Sequence, residues 1–204
     1  PDWSTGDILT MSFVQGGPIE AAREVSQDER NRIAGALIAL TLRELFEFGV
    51  TQSDPNFANY RYNPDTGKII LLDFGATRHL DPALTQNYRA LMRAGLAGDE
   101  DGLRAAATAM QFIEGNGPFD GRILSMIDAV FGALRTEGPF DFSDRTLSNR
   151  LTEEGTALAE AGYVPPPLPM DSLYLQRKFG GMFLLAGRLE AQVPVSDLLR
   201  RFLG

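Results

Sequence analysis

The chain has 204 residues, of which 44% are hydrophobic and 23% are charged, so it is long enough to bury the core of one domain. Its formal net charge of -8 opposes binding to nucleic-acid phosphates, which usually requires a basic face. The absence of cysteine and the single histidine exclude disulfides and thiolate metal sites and disfavour Ser-His-Asp hydrolases and multi-histidine metal sites. Any chemistry must therefore use carboxylates, amides, hydroxyls and arginines.

The sequence contains no signal for membrane insertion or secretion. No apolar run reaches the roughly 18 residues of a membrane span, and no signal-peptide pattern is present. The expected location is the cytoplasm, or the surface of the inner membrane. The chain lacks an initiator Met, so we expect a processed or shortened chain. Its 17 arginines against two lysines favour a GC-rich bacterial source.

The first predicted elements are a short strand and a long helix. Residues 7–14 form a β-prone run that ends before the glycine and proline residues 16–18, so a strand is predicted there. Ser26 and Glu29 have the spacing of a capping box, in which each side chain satisfies a free backbone N–H. Apolar residues then recur at helical intervals, which predicts a helix over residues 26–49.

A loop and a β-hairpin follow the long helix, over residues 51–75. The loop is polar and contains Pro55. Two strands, Tyr60–Tyr62 and Lys68–Leu72, are joined by a turn rich in Asn, Pro, Asp and Gly. The second strand is apolar without alternation, so we expect it to be buried on both faces and to deliver Asp73 at its end.

The rest of the chain, residues 81–204, has a helical pattern. Asp81 followed by Pro82 fits the N-cap and first position of a helix. Helices are predicted near residues 82–97, 100–112, 120–135, 146–162, 171–191 and 195–203. We therefore expect one mainly α domain over residues 1–204 with a small β-hairpin.

Three polar side chains stand where the hairpin brings chain segments together. Asp54 follows the long helix, Asn59 precedes the first hairpin strand, and Asp73 ends the second. Because a hairpin folds back on itself, Asn59 and Asp73 are expected to lie close together, with Asp54 on the loop beside them. An oxygen-rich cluster with one or two carboxylates suits Mg²⁺, whose other ligands are usually waters and substrate phosphates.

The order and spacing of these residues indicate phosphoryl transfer. That reaction requires the protein mainly to position metal ions and to orient the accepting hydroxyl with a carboxylate. Asp54, four intervening residues, Asn59, a hairpin and then Asp73-Phe74-Gly75 match the catalytic and metal-binding loops of kinases. Each element alone is ordinary turn or capping chemistry. Their joint occurrence favours a site over a structural role.

Longer segments around these residues resemble the UbiB family of atypical kinases, and within it the branch that includes the mitochondrial coenzyme Q proteins. The likeness covers nearly the whole chain. The motifs that carry it are Thr41–Phe48, Gln52–Asn59, Leu71–Arg78, Glu137–Phe142, Pro165–Pro167 and Arg177–Gly181. The resemblance implies a protein-kinase-like C-terminal lobe of the α+β class.

The resemblance also implies roles for individual residues. Asp54 would be the catalytic aspartate, and Asn59 and Asp73 would be the magnesium ligands at the ATP site. The backbone of the predicted strand over residues 7–14 would form the hinge that meets adenine. Its hinge residues would be Met11, Ser12, Phe13 and Val14.

The sequence departs from ordinary protein kinases before and after the site. Gln52 and Ser53 replace the His-Arg pair that precedes the catalytic aspartate, and no Ala-Pro-Glu segment follows Gly75, which leaves little platform for a peptide. Neither Lys68 nor Lys178 precedes the hinge, so neither can be the small-lobe lysine that holds the ATP phosphates. We therefore expect the N-terminal lobe to lie outside this chain and the isolated chain to bind nucleotide weakly and to be inactive.

The leading hypothesis from the resemblance is an atypical kinase or ATPase that uses ATP and Mg²⁺ and supports ubiquinone biosynthesis. Its expected contacts are the N-terminal lobe in cis and either enzymes of that pathway or a lipid surface, but not nucleic acid. A small-molecule phosphotransferase of the aminoglycoside or choline type is an alternative, although those proteins typically carry His-Gly-Asp in the loop. A second alternative is a nucleotide-sensing scaffold with little catalysis.

Overall fold

The structure is a computed structural model that describes residues 3–204, in which α-helices predominate. Residues 1 and 2 of the predicted domain lie outside the described part. The helices are α1 (Gln27–Arg43), α2 (Pro82–Ala97), α3 (Glu100–Ala109), α4 (Asp120–Arg135), α5 (Thr146–Glu160), α6 (Met170–Arg188) and α7 (Val195–Leu203). The strands are β1 (Gly17–Pro18), β2 (Val50–Gln52), β3 (Tyr60–Asn63), β4 (Lys68–Leu71), β5 (Thr77–His79), β6 (Phe140–Asp141) and β7 (Gln192–Val193). The helices match the predicted ones with small differences at their ends.

The strands form small antiparallel sheets. β1, β3 and β4 make one sheet in that order, with Tyr60 opposite Leu71 and Asn63 opposite Lys68. β2 pairs with β5, and β6 pairs with β7. The β3–β4 hairpin was predicted from its turn residues. The other pairs were not, because strands of two or three residues are too short to show an alternating pattern.

The strand predicted over residues 7–14 is wrong. Among residues 3–204 no strand pairs with that segment, and its side chains are exposed, with Phe13 at 93%. The first strand residues are instead Gly17 and Pro18, which pair with β3. A β-prone run becomes a strand only where a neighbouring strand takes up its backbone N–H and C=O groups.

The predicted burial of both faces of the second hairpin strand is also wrong. Lys68 is exposed, and the residues that follow it up to Leu72 are only partly buried. β4 is an edge strand of its sheet, and Ile69 and Leu71 pack against the core. An apolar run without alternation therefore does not require two covered faces.

α1 begins where it was predicted, but its capping box is half formed. Ser26 Oγ accepts a hydrogen bond from the Glu29 backbone N–H at 3.3 Å. The Glu29 carboxylate does not complete the box. It accepts from the Arg32 guanidinium at 2.7 and 2.6 Å and from the Tyr62 hydroxyl at 2.6 Å. These hydrogen bonds, the one from Arg32 first, lower the pKa of Glu29 from 4.5 to about 2, and they join α1 to the hairpin.

Two hydrophobic clusters make up the core, and α1 and α6 contribute to both. Leu42 of α1 and Leu175 of α6 belong to the first cluster, with residues of α2, α3, α4 and α7. Ile33 of α1 and Met182 of α6 belong to the second, with the tyrosines of β3. Ile38 packs against both clusters. These two helices therefore form the framework on which the hairpin is mounted.

None of the helices within residues 3–204 is long and apolar enough to cross a bilayer.

The α2–α4 contact can be tested at Gly95, where a Cβ would lie 2.2 Å from Cδ2 of Phe131. Gly95→Ala should lower the free energy of unfolding by about 1–3 kcal/mol, because the ring or a helix must move. Gly155→Ala in α5 is the control, since an added Cβ there would have no described atom within 4 Å apart from the adjacent residues and backbone of α5 itself. Because alanine has a higher helix propensity than glycine, Gly155→Ala should raise the free energy of unfolding by about 0.5–1 kcal/mol. Urea unfolding followed by circular dichroism measures both. A Gly95→Ala protein as stable as wild type would contradict this packing.

The Glu29 contacts predict a pH-dependent contribution to stability. Because the folded-state pKa of this carboxyl lies at about 2, below 4.5, its contribution is present above pH 4.5 and is lost as the pH falls towards 2. Glu29→Gln should therefore unfold at lower urea than wild type at pH 7, and the difference should shrink below pH 4.5. Glu153→Gln, on an exposed position of α5, is the control. A difference between Glu29→Gln and wild type that stays constant from pH 7 to 3 would exclude this account.

Candidate active site

The candidate site is built where the loop after α1 runs beside the segment after the hairpin. β2 pairs with β5, with Gln52 opposite Thr77. Ser53 extends this pairing, because its backbone N–H and its Oγ both donate to the Ala76 carbonyl, at 2.9 and 2.8 Å. The start of the loop and the residues after Asp73 are thereby held side by side.

Asp54 and Asn59 are in direct contact. Asn59 Nδ2 donates to Asp54 Oδ2 at 3.0 Å, and the Asn56 backbone N–H donates to Asp54 Oδ1 at 3.3 Å. The intervening 3-10 turn, Phe57–Asn59, is capped by the Asn56 side chain, which accepts from the Ala58 N–H at 3.0 Å. This short turn brings the amide back to the carboxylate and fixes the orientation of both side chains.

Asp73 lies at the adjacent end of the hairpin. The Leu72 N–H donates to the Asn59 carbonyl at 2.8 Å, so Asp73 immediately follows the residue bound to Asn59. Asp73 has φ 49, in the left-handed region, and its Oδ1 accepts from the Gly75 N–H at 2.9 Å. Aspartate tolerates this conformation better than most residues, and such backbone strain is concentrated at functional sites. The carboxylate is exposed at the end of the strand.

The donor set at this point suits an oxygen-preferring divalent cation. Asn59 uses its NH₂ group on Asp54, which leaves its Oδ1 as an acceptor. Asp73 offers a carboxylate at the same end of the hairpin. Among the described residues no three Asp, Glu or His side chains converge on one point. Mg²⁺ is often held by one or two protein oxygens, with waters and phosphates completing its shell, so these residues fit it.

The predicted hinge residues are not part of this cluster. Met11, Ser12, Phe13 and Val14 lie on the exposed segment before β1. The ties of this segment to the hairpin come just after it. Asn63 Nδ2 donates to the Gln15 carbonyl at 2.9 Å, and the Arg61 guanidinium donates to the Gly16 carbonyl at 2.9 and 2.7 Å. The adenine-binding role of the segment stays a prediction.

Tyr60 is a neighbour of the site that was not expected from the sequence. It is buried at the start of β3, and burial together with the negative charges of Glu44 and Asp54 raises its pKa to about 12. The hydroxyl therefore stays protonated beside the two carboxylates. From the sequence, a tyrosine at the start of a strand cannot be distinguished from an ordinary core residue.

Lys178 and Glu44 were also missed. The Lys178 side chain is 2% exposed, and its Nζ lies 3.1 Å from Glu44 Oε2 and 2.9 Å from the Gln52 carbonyl. Glu44 is the first residue of the π-helical turn Glu44–Phe48, which continues α1, and its partner Lys178 is 134 residues away along the chain. The available sequence signal was a lysine within an apolar helix, in a chain with 17 arginines and two lysines.

Gly181 provides close packing against the loop, not against another helix. A Cβ there would lie 2.6 Å from Cβ of Pro55. At Gly180, by contrast, no described atom lies within 4 Å of an added Cβ apart from the adjacent residues and backbone of α6 itself. The two adjacent glycines therefore have different roles, which the sequence pattern could not distinguish.

Comparison with known proteins gives matches that include this region. The ABC1 atypical kinase-like domain family matches residues 1–107. The "Atypical kinase COQ8B, mitochondrial" of Rattus norvegicus is 33% identical over 201 residues, covering 96% of this chain and 37% of the rat protein. The "Atypical kinase COQ8, mitochondrial" of Saccharomyces cerevisiae is 32% identical over 209 residues, covering 98% of this chain and 40% of the yeast protein. The chain thus spans about two fifths of the length of these curated relatives.

A solved structure shares the fold. The complex of Rv3197 with erythromycin from Mycobacterium tuberculosis superposes with a TM-score of 0.72 over 94% of this chain and 48% of that chain, at 19% identity. At this level of identity the likeness shows the fold alone. The prediction of a kinase-like, mainly α lobe with a small β-hairpin is confirmed, and the structure adds further short antiparallel strand pairs.

Proposed function

Because the chain belongs to the ABC1 atypical kinase-like family, and its predicted resemblance to the UbiB proteins is confirmed, we propose that it forms the metal-binding and catalytic lobe of an atypical kinase or ATPase. The observation that carries the proposal is the 3.0 Å hydrogen bond from Asn59 to Asp54, beside the strand end that bears Asp73. In this proposal Asn59 and Asp73 hold Mg²⁺ at an ATP site. Bound Mg²⁺ would neutralise charge on the phosphate oxygens.

Asp54 is the proposed catalytic carboxylate. Two hydrogen bonds, from Asn59 Nδ2 and the Asn56 N–H, hold it in one orientation. It would accept a hydrogen bond from the attacking hydroxyl or water and then its proton. Asp73 has the complementary role, because the left-handed turn at its own backbone ends the strand and exposes the carboxylate.

The acceptor is proposed to be water or a small molecule. In ordinary protein kinases a longer segment after the metal aspartate supports the peptide substrate. Here the chain forms β5, reaches the N-cap Asp81 and enters α2 at Pro82, only a few residues after Asp73. This short connection leaves little surface for a bound peptide.

The phosphate-gripping lysine is proposed to come from an N-terminal lobe of the same protein. Lys178 is buried in its ion pair with Glu44 and its hydrogen bond to the Gln52 carbonyl, and Lys68 is exposed at the start of β4. For the whole protein we propose support of ubiquinone biosynthesis, in contact with enzymes of that pathway or a lipid surface. The relatives' names place those proteins in mitochondria. A cytoplasmic or inner-membrane location for this protein stays a prediction.

The proposal is tested with the full-length protein by measuring Mg²⁺-nucleotide binding and ATP turnover. Asp73→Asn should abolish Mg²⁺-dependent binding and turnover while keeping the fold, because asparagine also tolerates the left-handed backbone at φ 49. Asp54→Asn should retain binding and lose about 10²–10⁴-fold in turnover, the usual worth of a general base. Asp65→Asn, an exposed position in the turn of the same hairpin, is the matched control and should change neither.

The outcomes separate the alternative functions. Turnover that survives Asp73→Asn would overturn the proposed metal site. Binding that depends on Asp73, without turnover in any variant, would identify a nucleotide-sensing scaffold. Phosphorylation of a hydroxylated small molecule, without rescue of a quinone-deficient strain, would favour the small-molecule phosphotransferase.

The isolated chain provides a further prediction. Residues 1–204 alone should bind Mg²⁺-ATP weakly and hydrolyse it at a negligible rate, because neither of its lysines is placed to hold the phosphates. Calorimetric titration and phosphate release measure both quantities, with the full-length protein as the positive control. Robust hydrolysis by the 204-residue chain would refute the proposed need for a second lobe.

A further inference from the structure

The contacts of Lys178 reach the residues that precede the proposed catalytic aspartate. Its Nζ donates to the Gln52 carbonyl at 2.9 Å, two positions before Asp54. The same ammonium pairs with Glu44, whose Oε2 also accepts from Thr51 Oγ1 at 3.0 Å. Thr51 is fully buried, and Gln52 is 8% exposed. The polar start of the loop is thus held from inside the protein.

Gly181 contacts the residue on the other side of Asp54. It lies one turn after Lys178 on the same face of α6, because residues three apart in a helix are neighbours on its surface. The missing side chain of Gly181 makes room for Pro55, whose Cβ would be 2.6 Å from an added Cβ. One face of α6 therefore contacts the chain on both sides of the proposed catalytic residue, at Gln52 two positions before it and at Pro55 directly after it.

The same helix also holds the segment after the proposed metal ligand. Asp171 pairs with Arg78 of β5 at 3.3 Å, and the Arg78 guanidinium lies 4.7 Å from the centre of the Tyr174 ring. Between the two contact regions, Gln52 Nε2 approaches the Asp73 carbonyl at 3.4 Å. The loop that carries Asp54 is thereby tied to α6 through Gln52, which binds Lys178. The segment after Asp73 is tied to α6 through Arg78, which binds Asp171.

A buried ion pair is a poor device for stability alone. Removing two charges from water costs about as much as their attraction returns, and replacing such a pair by apolar residues is often neutral or stabilising. The Lys178–Glu44 pair is therefore better explained by the position that it gives to the loop. The ammonium supplies a directed, charge-assisted hydrogen bond to one carbonyl of the loop, which an apolar side chain could not supply.

We propose that Lys178 and Gly181 are positioning residues that set the place of Asp54 relative to Asp73, Lys178 by holding Gln52 and Gly181 by admitting Pro55. This inference rests on the proposed function for its effect on turnover. The effect on the loop itself does not depend on it.

The first variant removes the pair without leaving an unpaired buried charge. In the full-length protein, Lys178→Met combined with Glu44→Met should lower the melting temperature by only a few degrees, because the Thr51 hydroxyl and the Gln52 carbonyl each lose a partner but no buried charge is left unpaired. It should still lower kcat for Mg²⁺-ATP by about 10–10²-fold, since misplacing a reacting group by about 1 Å costs up to 10²-fold. The Kd for Mg²⁺-nucleotide should change by less than about threefold, because Asn59 and Asp73 are unaltered. If the pair only stabilised the fold, a double variant that keeps nearly all of the wild-type stability would also keep the wild-type kcat.

The second variant uses the two adjacent glycines. Gly181→Ala should lower kcat by about 10–10²-fold with little change in nucleotide Kd. Gly180→Ala is the matched control, since an added Cβ there would have no described atom within 4 Å apart from the adjacent residues and backbone of α6 itself, and it should leave kcat unchanged. Equal kcat values for the two alanine variants would overturn the role of Gly181.

Hydrogen exchange separates failure of this inference from failure of the proposed function. The double methionine variant and Gly181→Ala should both accelerate exchange of the amides in residues 53–59 by about tenfold, and by more than exchange of the amides of α1 and α6, which report any loss of global stability. Unchanged exchange there overturns the positioning role even if turnover depends on Asp73. Faster exchange supports that role even if the wild-type protein proves to have no turnover, in which case only the proposed function fails.

Discussion

The ammonium of Lys178 joins three segments that are distant in the chain: α6, the π-helical turn that carries Glu44, and the loop start at Gln52. An ammonium group has only donors, so inside the protein it must be surrounded by acceptors. Here a carboxylate and a backbone carbonyl meet that requirement. If any of the three segments moved away, the ammonium would lose an acceptor or a charge would be left unpaired in the interior, which is costly. The contact therefore opposes movement of these segments relative to one another. In the positioning role proposed for Lys178, the place of Asp54 relative to Asp73 depends on this contact.

The hydrophobic core and the polar contacts determine different parts of the structure. α1 and α6 each contribute to both apolar clusters, so burial fixes how these helices lie together but not how the loops between strands are directed. Directed bonds do the latter, from Ser53 to Ala76, from Asn59 to Asp54 and from Lys178 to Gln52. Hydrophobic burial has no direction, whereas a hydrogen bond weakens steeply when its angle departs from linearity. The site therefore rests on an apolar framework but is shaped by a few polar groups.

Much of the fold followed from local patterns. The helices after Asp81 were predicted from a helical pattern and from the Asp81-Pro82 cap, and the hairpin from its turn residues. The site candidates Asp54, Asn59 and Asp73 followed from short spacings, and the structure adds a hydrogen bond from Asn59 to Asp54 that no spacing predicted. The strand over residues 7–14 and the two-sided burial of β4 were wrong, because each depends on which surface covers the segment.

The sequence by itself determined the helices, the hairpin and the identity of the polar residues at the end of the hairpin, because helix periods, caps and turns involve residues only a few positions apart. The tertiary structure alone decided that Lys178 meets Glu44 and Gln52, that Pro55 rests on Gly181 and not on Gly180, and that β2 pairs with β5. The energy of each of these contacts depends on distance and burial between remote segments, and no local pattern of residues carries that information.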